Sequence, residues 1–135
     1  MVNESPHVRP TILIVEDEPL LLMDAVDMVE EAGFEAVEAS NADQAVEILA
    51  SRGDIPIVLT DIDMPGSMDG VKLAHFVRDR WPPIEIIVVS GHRRVSAEEM
   101  PERGLFFSKP YSRHAVTAAM RRLVSYDGQP RGDLN

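Results

Sequence analysis

The chain has no cysteine. Disulfides and thiolate metal centres are thereby excluded, which leaves hard, oxygen-ligated ions as the metals to look for. Positive charge is also short. Thirteen Lys and Arg face 23 Asp and Glu, for a net charge of −10. General affinity for DNA, RNA or an anionic membrane rewards basic patches, so none is expected. Long apolar runs are missing. TILIV, LLLM and IIVV are too short to span a bilayer, and the opening MVNESPHVRP holds no signal core. The expectation is a soluble, cytoplasmic protein. What the chain does have is 135 residues at 44% hydrophobic, enough for one domain with a buried core.

The apolar pattern alternates between two periods. Thr11 to Val15 is a β-branched run suited to a strand covered on both faces. Pro19 opens a helix carrying Leu22, Val26 and Val29, which Gly33 stops. Phe34 to Ala39 reads as a second strand. Asn41 and Gln44 form a candidate capping box before a helix with Ala42, Ala45, Val46, Leu49 and Ala50 on one face. Pro56 to Thr60 is a third strand. A turn over Gly66 to Gly70 leads into a third helix with Leu73, Ala74, Val77 and Trp81. Ile84 to Val89 is a fourth strand, and Leu105 to Phe107 a brief fifth. His92 to Arg103 is charged and interrupted by Pro101, so a short or irregular helix is expected there. Ser112 caps a last helix with Val116, Ala119, Met120 and Leu123. Residues 1–9 read as a flexible arm, 10–126 as the domain and 127–135 as a flexible tail.

Strands alternating with helices predict an α/β fold, a doubly wound five-stranded parallel sheet with helices on both faces. Ligands in such folds bind at the carboxyl ends of the strands. Those ends carry Glu16 and Asp17 after the first strand, and Asp61 with Asp63 after the third. Ser90 follows the fourth strand and Lys109-Pro110 the fifth. If the sheet is parallel, these groups share one edge. Crowded carboxylates repel unless a cation intervenes, and Mg²⁺ suits oxygen donors beside a phosphate group. Lys109 adds a fixed positive charge and Ser90 a hydroxyl. Such a place can keep Asp61 ionised and hold a phosphoryl group, and carboxylates are known phosphoryl acceptors.

These residues together resemble the receiver domain of two-component response regulators, the CheY-like family. The resemblance covers about Pro10 to Tyr126 and rests on Glu16-Asp17, TDIDMPGSMDG, Ser90-Gly91 and Lys109-Pro110 in that order. It implies a stand-alone receiver in which Asp61 is phosphorylated by a sensor histidine kinase or a histidine phosphotransfer protein. Asp17 and Asp61 would ligate Mg²⁺, with the backbone carbonyl of Asp63 as a third ligand and Glu16 acting through water. Ser90 and Lys109 would contact the phosphoryl group, Ser90 and Phe106 would form the switch, and Lys109-Pro110 would be a cis peptide. A downstream protein and a homodimer are further partner expectations.

Each motif alone has an ordinary explanation. Glu16-Asp17 can be an acidic helix start, Asp61 a strand-end carboxylate, Ser90-Gly91 a turn and Lys109 a solvated cation. Phe106 can be a plain core aromatic. Asp61-Ile62-Asp63 also matches the Asp-x-Asp of haloacid-dehalogenase-like phosphatases, though on the third strand and followed by Met64-Pro65. A phosphate sink without conformational output is the third reading. His92, two residues after Ser90, could affect water approach. His7, His75 and His114 show no ligand spacing, and Met23, Met28 and Met120 read as core residues.

Overall fold

The computed structural model describes residues 9–64, 68–92 and 94–126. The arm up to residue 8, the tail 127–135 and the Gly66-Ser67 part of the predicted turn lie outside the described residues. Among the described residues five strands and four helices follow in order, alternating except that β5 comes directly after β4: β1 Thr11–Val15, α1 Pro19–Glu31, β2 Glu35–Ala39, α2 Ala42–Ser51, β3 Ile57–Asp61, α3 Gly70–Arg80, β4 Glu85–Ser90, β5 Leu105–Ser108 and α4 Arg113–Tyr126. Every strand pair is parallel, in the spatial order β2-β1-β3-β4-β5. The order reverses between β1 and β3, so the crevice expected to take ligands opens beside the carboxyl ends of those two strands.

Strand periodicity sorts the core into two layers. Leu13, Val58, Ile86 and Val88 face α2 and α3, packing on Ala45, Leu49, Leu73 and Val77. Ile12, Ile14, Ile57, Leu59, Ile87 and Val89 face α1 and α4, against Met28, Val29, Val116 and Met120. The central strands are buried on both sides, which is why they read as unbroken aliphatic runs. Of the helix stripe predicted for α4, Val116, Ala119 and Met120 are fully buried and Leu123 is half-buried.

Local signals behaved as their chemistry requires, with one variation. Asn41 Oδ1 accepts from the Gln44 amide at 2.8 Å, but Gln44 Oε1 accepts from the Ser40 amide rather than from Asn41. Ser112 Oγ accepts from the Ala115 amide at 3.1 Å and so caps α4. Met23 departs from its core reading: it is 64% exposed, on the outward side of α1.

The β4–β5 crossover, residues 91–104, is irregular. Among its described residues there are two turns, closed by the Glu99 amide on the Ser96 carbonyl at 3.0 Å and the Gly104 amide on the Pro101 carbonyl at 3.1 Å, and no helix, where a short one was expected. Side chains from α3 hold it down. His75 Nε2 lies 2.6 Å from the Glu99 carbonyl, and Arg78 Nε donates to the Glu102 carbonyl at 2.9 Å. Arg78 Nη1 also donates to the carbonyls of Pro82 and Ile84. Arg103 takes a left-handed backbone, φ 65°, and reaches Glu85 at 3.1 Å. Val95, Met100 and Phe106 pack from this side onto the α2/α3 layer and cover it in place of a third helix on that face.

Candidate functional site: an acidic pocket at the strand ends

The sheet brings the predicted groups to one edge by register alone. Glu16 directly follows β1, and its amide extends the ladder to the Ala39 carbonyl at 3.0 Å. Asp61 closes β3, and the next amide, of Ile62, donates to the Val89 carbonyl. Ser90 closes β4, and its carbonyl accepts from the Lys109 amide at 2.9 Å. The peptide bond after Lys109, to Pro110, is cis.

Glu16, Asp17 and Asp61 each point one carboxylate oxygen into a common space, all within 4.8 Å of one another. Lys109 Nζ stands 2.9 Å from Asp61 Oδ1 and 3.4 Å from Glu16 Oε1. The other Asp61 oxygen, Oδ2, accepts the Asp63 amide at 3.0 Å. Two donors therefore fix the plane of the Asp61 carboxylate. Glu16 and Asp61 are buried, at 6% exposure each, and Asp17 is half-buried.

Burial pushes the Glu16 carboxyl above its ordinary range. The Glu18 amide on Glu16 Oε2 opposes that shift, and the neighbouring charge of Asp61 adds to it. Burial works against the Lys109 ammonium, but the hydrogen bond and charge of Asp61, with the charge of Glu16, outweigh it and raise its pKa. Three carboxylates with one ammonium leave an excess of negative charge. The donor set is all hard oxygen, which suits Mg²⁺.

Ser90 is 1% exposed. Its Oγ accepts the His92 amide at 3.2 Å and donates to Asp63 Oδ2 at 3.4 Å. The Asp63 side chain thus faces Ser90, while its amide faces Asp61. Phe106 pairs with Val88 across β4–β5 and is half-buried beneath the crossover.

Three features escaped the sequence reading. Gly70 starts α3 so close to Asp61 that a Cβ there would overlap the Asp61 carbonyl oxygen and lie 2.8 Å from the Asp61 carbonyl carbon and from Ile62 Cα. A cavity of about 460 Å³ abuts the acids, lined by Leu21, Ala25, Leu59, Val89, Pro110 and Tyr111 among others. On the flank of α1, Leu20 and Met23 are 79% and 64% exposed. The run LLLM carried the signal: three of its four residues point out, more than a helix needs for one buried stripe.

Comparison with known proteins decides the family. A family model, the response regulator receiver domain, matches residues 12–121. The chain belongs to that family. The hydrogenase transcriptional regulatory protein HoxA of Cupriavidus necator is 38% identical to this receiver over 133 residues, 94% of this chain and 26% of HoxA. The sensor kinase CckA of Brucella abortus is 32% identical over 122 residues, 84% of this chain and 12% of CckA. This receiver spans only those fractions of the two proteins, and what the whole proteins do does not carry over with the match. Among solved structures, a response regulator receiver protein of Sinorhizobium medicae superposes with a TM-score of 0.81 at 29% identity, covering 88% of this chain and 97% of the other. The response regulator TrrA of Thermotoga maritima, solved with Mg²⁺–BeF, shares the fold at a TM-score of 0.74 and 23% identity, covering 84% of this chain and 98% of the other. Phosphorylation-based two-component signalling is the work of this family. No helix of the described residues is long and apolar enough to cross a membrane.

Proposed function

We propose that this receiver, carried by residues 10–126, is a cytoplasmic phosphorylation switch with Asp61 as its phosphoacceptor. The observation that carries the reading is the Asp61 carboxylate itself. It is held by the Lys109 ammonium at 2.9 Å and the Asp63 amide at 3.0 Å, inside a group of three carboxylates. A carboxylate paired with an ammonium and oriented this way is a ready nucleophile.

One Asp61 oxygen attacks the phosphorus of a phosphohistidine on a histidine kinase or phosphotransfer protein. The P–N bond breaks, the imidazole leaves, and an acyl phosphate forms on Asp61. Lys109 neutralises charge on one phosphoryl oxygen, and Ser90 donates to another. Asp17 and Asp61 would hold Mg²⁺ through their side chains, Asp63 through its backbone carbonyl and Glu16 through water. The ion supplies charge neutralisation at the phosphoryl oxygens. Ser90 and Phe106 then bias a two-state equilibrium that a downstream protein, or a second copy, reads.

The donor must reach Asp61 from the open side. Leu20, Leu21 and Met23 are exposed there on α1, and Leu21 lines the cavity that ends at Asp61 and Lys109. Such a patch suits the apolar face of a partner helix that carries the histidine.

The test is transfer of labelled phosphate from a phosphorylated histidine kinase or phosphotransfer protein. Stoichiometric, Mg²⁺-dependent labelling of the wild type and none of Asp61→Asn supports the reading. Equal labelling of both refutes it. Sustained release of phosphate from many monoesters would instead identify a phosphatase.

A further inference from the structure

A serine hydroxyl has one proton to donate. In this structure the Ser90 hydroxyl donates to the Asp63 carboxylate at 3.4 Å while it accepts the His92 amide at 3.2 Å. Ser90 is buried and Asp63 exposed, so the acceptor reaches in from the rim of the pocket. The base of Asp63 is fixed, because its own amide donates to Asp61 Oδ2. To donate to a phosphoryl oxygen on Asp61, the Ser90 hydroxyl must leave Asp63.

We propose that the Asp63 side chain is a positioning residue that retains the Ser90 hydroxyl before phosphorylation and so sets the threshold of the switch. This deepens the phosphoacceptor reading above and rests on it. A phosphoryl group shifts the two states only by the difference between what Ser90 gains from it and what Ser90 gives up. The Asp63 contact is what Ser90 gives up. Its length and exposure keep it modest, and its loss should strengthen phosphoryl-mimic binding about two- to tenfold, the range of an ordinary net hydrogen bond.

Removing Asp63 also removes a negative charge near an incoming anion. Asparagine and alanine separate the two effects. Both discharge the position, but only asparagine keeps an oxygen that can accept from Ser90. The experiment is a calorimetric titration of the full chain with beryllofluoride and Mg²⁺, with the Ser90 and His92 amides followed by NMR. Asp63→Ala should bind more tightly than Asp63→Asn, and that difference should vanish in a Ser90→Ala background. Equal affinities of the two variants with Ser90 present would overturn the proposal. So would a difference that persists without Ser90. If the wild type fails to bind the mimic at all, the phosphoacceptor reading falls and the proposal falls with it. Wild-type binding with no Asp63–Ser90 coupling removes the proposal alone.

Discussion

Replacing Gly70 by alanine should weaken the fold and disturb the site together. Gly70 opens α3, and its amide donates to the Ile62 carbonyl at 2.9 Å. An added methyl would collide with the Asp61 carbonyl oxygen and approach the Asp61 carbonyl carbon and Ile62 Cα to 2.8 Å. All three atoms are backbone, so no side-chain rotation relieves the overlap. Alanine's better helix propensity returns at most about 1 kcal/mol, and less in a first turn. Overpacking costs about 1–3 kcal/mol, and more where main chain must shift. A net loss of about 2 kcal/mol follows, read as a fall of about 1 M in the urea midpoint. Moving the Asp61 carbonyl also shifts its carboxylate away from the 2.9 Å contact with Lys109, so phosphoryl transfer should slow. Gly53 is the control. No atom lies within 4 Å of a Cβ there, and Gly53→Ala should stay within about 0.5 kcal/mol of wild type. A Gly70→Ala protein as stable and as readily phosphorylated as wild type would refute the packing argument.

Glu16 predicts a pH effect in Mg²⁺-free protein. Its folded pKa is raised by burial, so its contribution to stability is full below the unfolded value of 4.5 and is lost as pH rises through the folded value. Urea midpoints measured across that window should fall more steeply with pH in wild type than in Glu16→Gln, and parallel curves would count against the assignment. Lys109→Ala leaves the acids without their ammonium, so labelling of Asp61 should drop at least tenfold; the check is the rate of transfer at saturating Mg²⁺. Arg78→Ala strips the Glu102 and Ile84 carbonyls of the Arg78 donor at a nearly buried site and leaves the Pro82 carbonyl to Arg103 alone. It should cost about 2–4 kcal/mol and speed amide exchange over residues 94–104, with Arg78→Lys a poor rescue.

Much of this site was legible because it depends on backbone register. A parallel sheet sends the residue after each strand to the same edge, so Glu16, Asp61, Ser90 and Lys109 could be placed there from strand ends alone. The aliphatic runs located those ends to within a residue or two. Strands Ile57–Asp61 and Glu85–Ser90 end one residue beyond the stretches that hydrophobicity marks, because a polar residue at the edge of a ladder still pairs. The irregularity of the β4–β5 crossover was readable in part: charge and Pro101 leave little to bury, yet a short helix was expected and the described residues form none.

What holds that crossover was not readable, and the reason is physical. His75 reaches Glu99, and Arg78 reaches Glu102, across 24 positions of chain in each case. Those contacts depend on where long side chains land after the sheet has formed, and no local period encodes them. Arg78 shows how far appearance and role diverge. By composition it is one more arginine on an exposed-looking helix, yet its side chain is only 10% exposed, and its Nη2 is buried without a hydrogen-bond partner, 3.9 Å from Glu85. Glu85 is instead taken by Arg103 at 3.1 Å. Burial lowers the Arg78 pKa and the nearby charge of Arg103 adds to that, so a second cation competes for one carboxylate at the foot of the crossover. A covering helix would have satisfied its own backbone there. The irregular segment meets its own carbonyls only at the Ser96 and Pro101 turns, and α3 side chains meet those of Glu99 and Glu102.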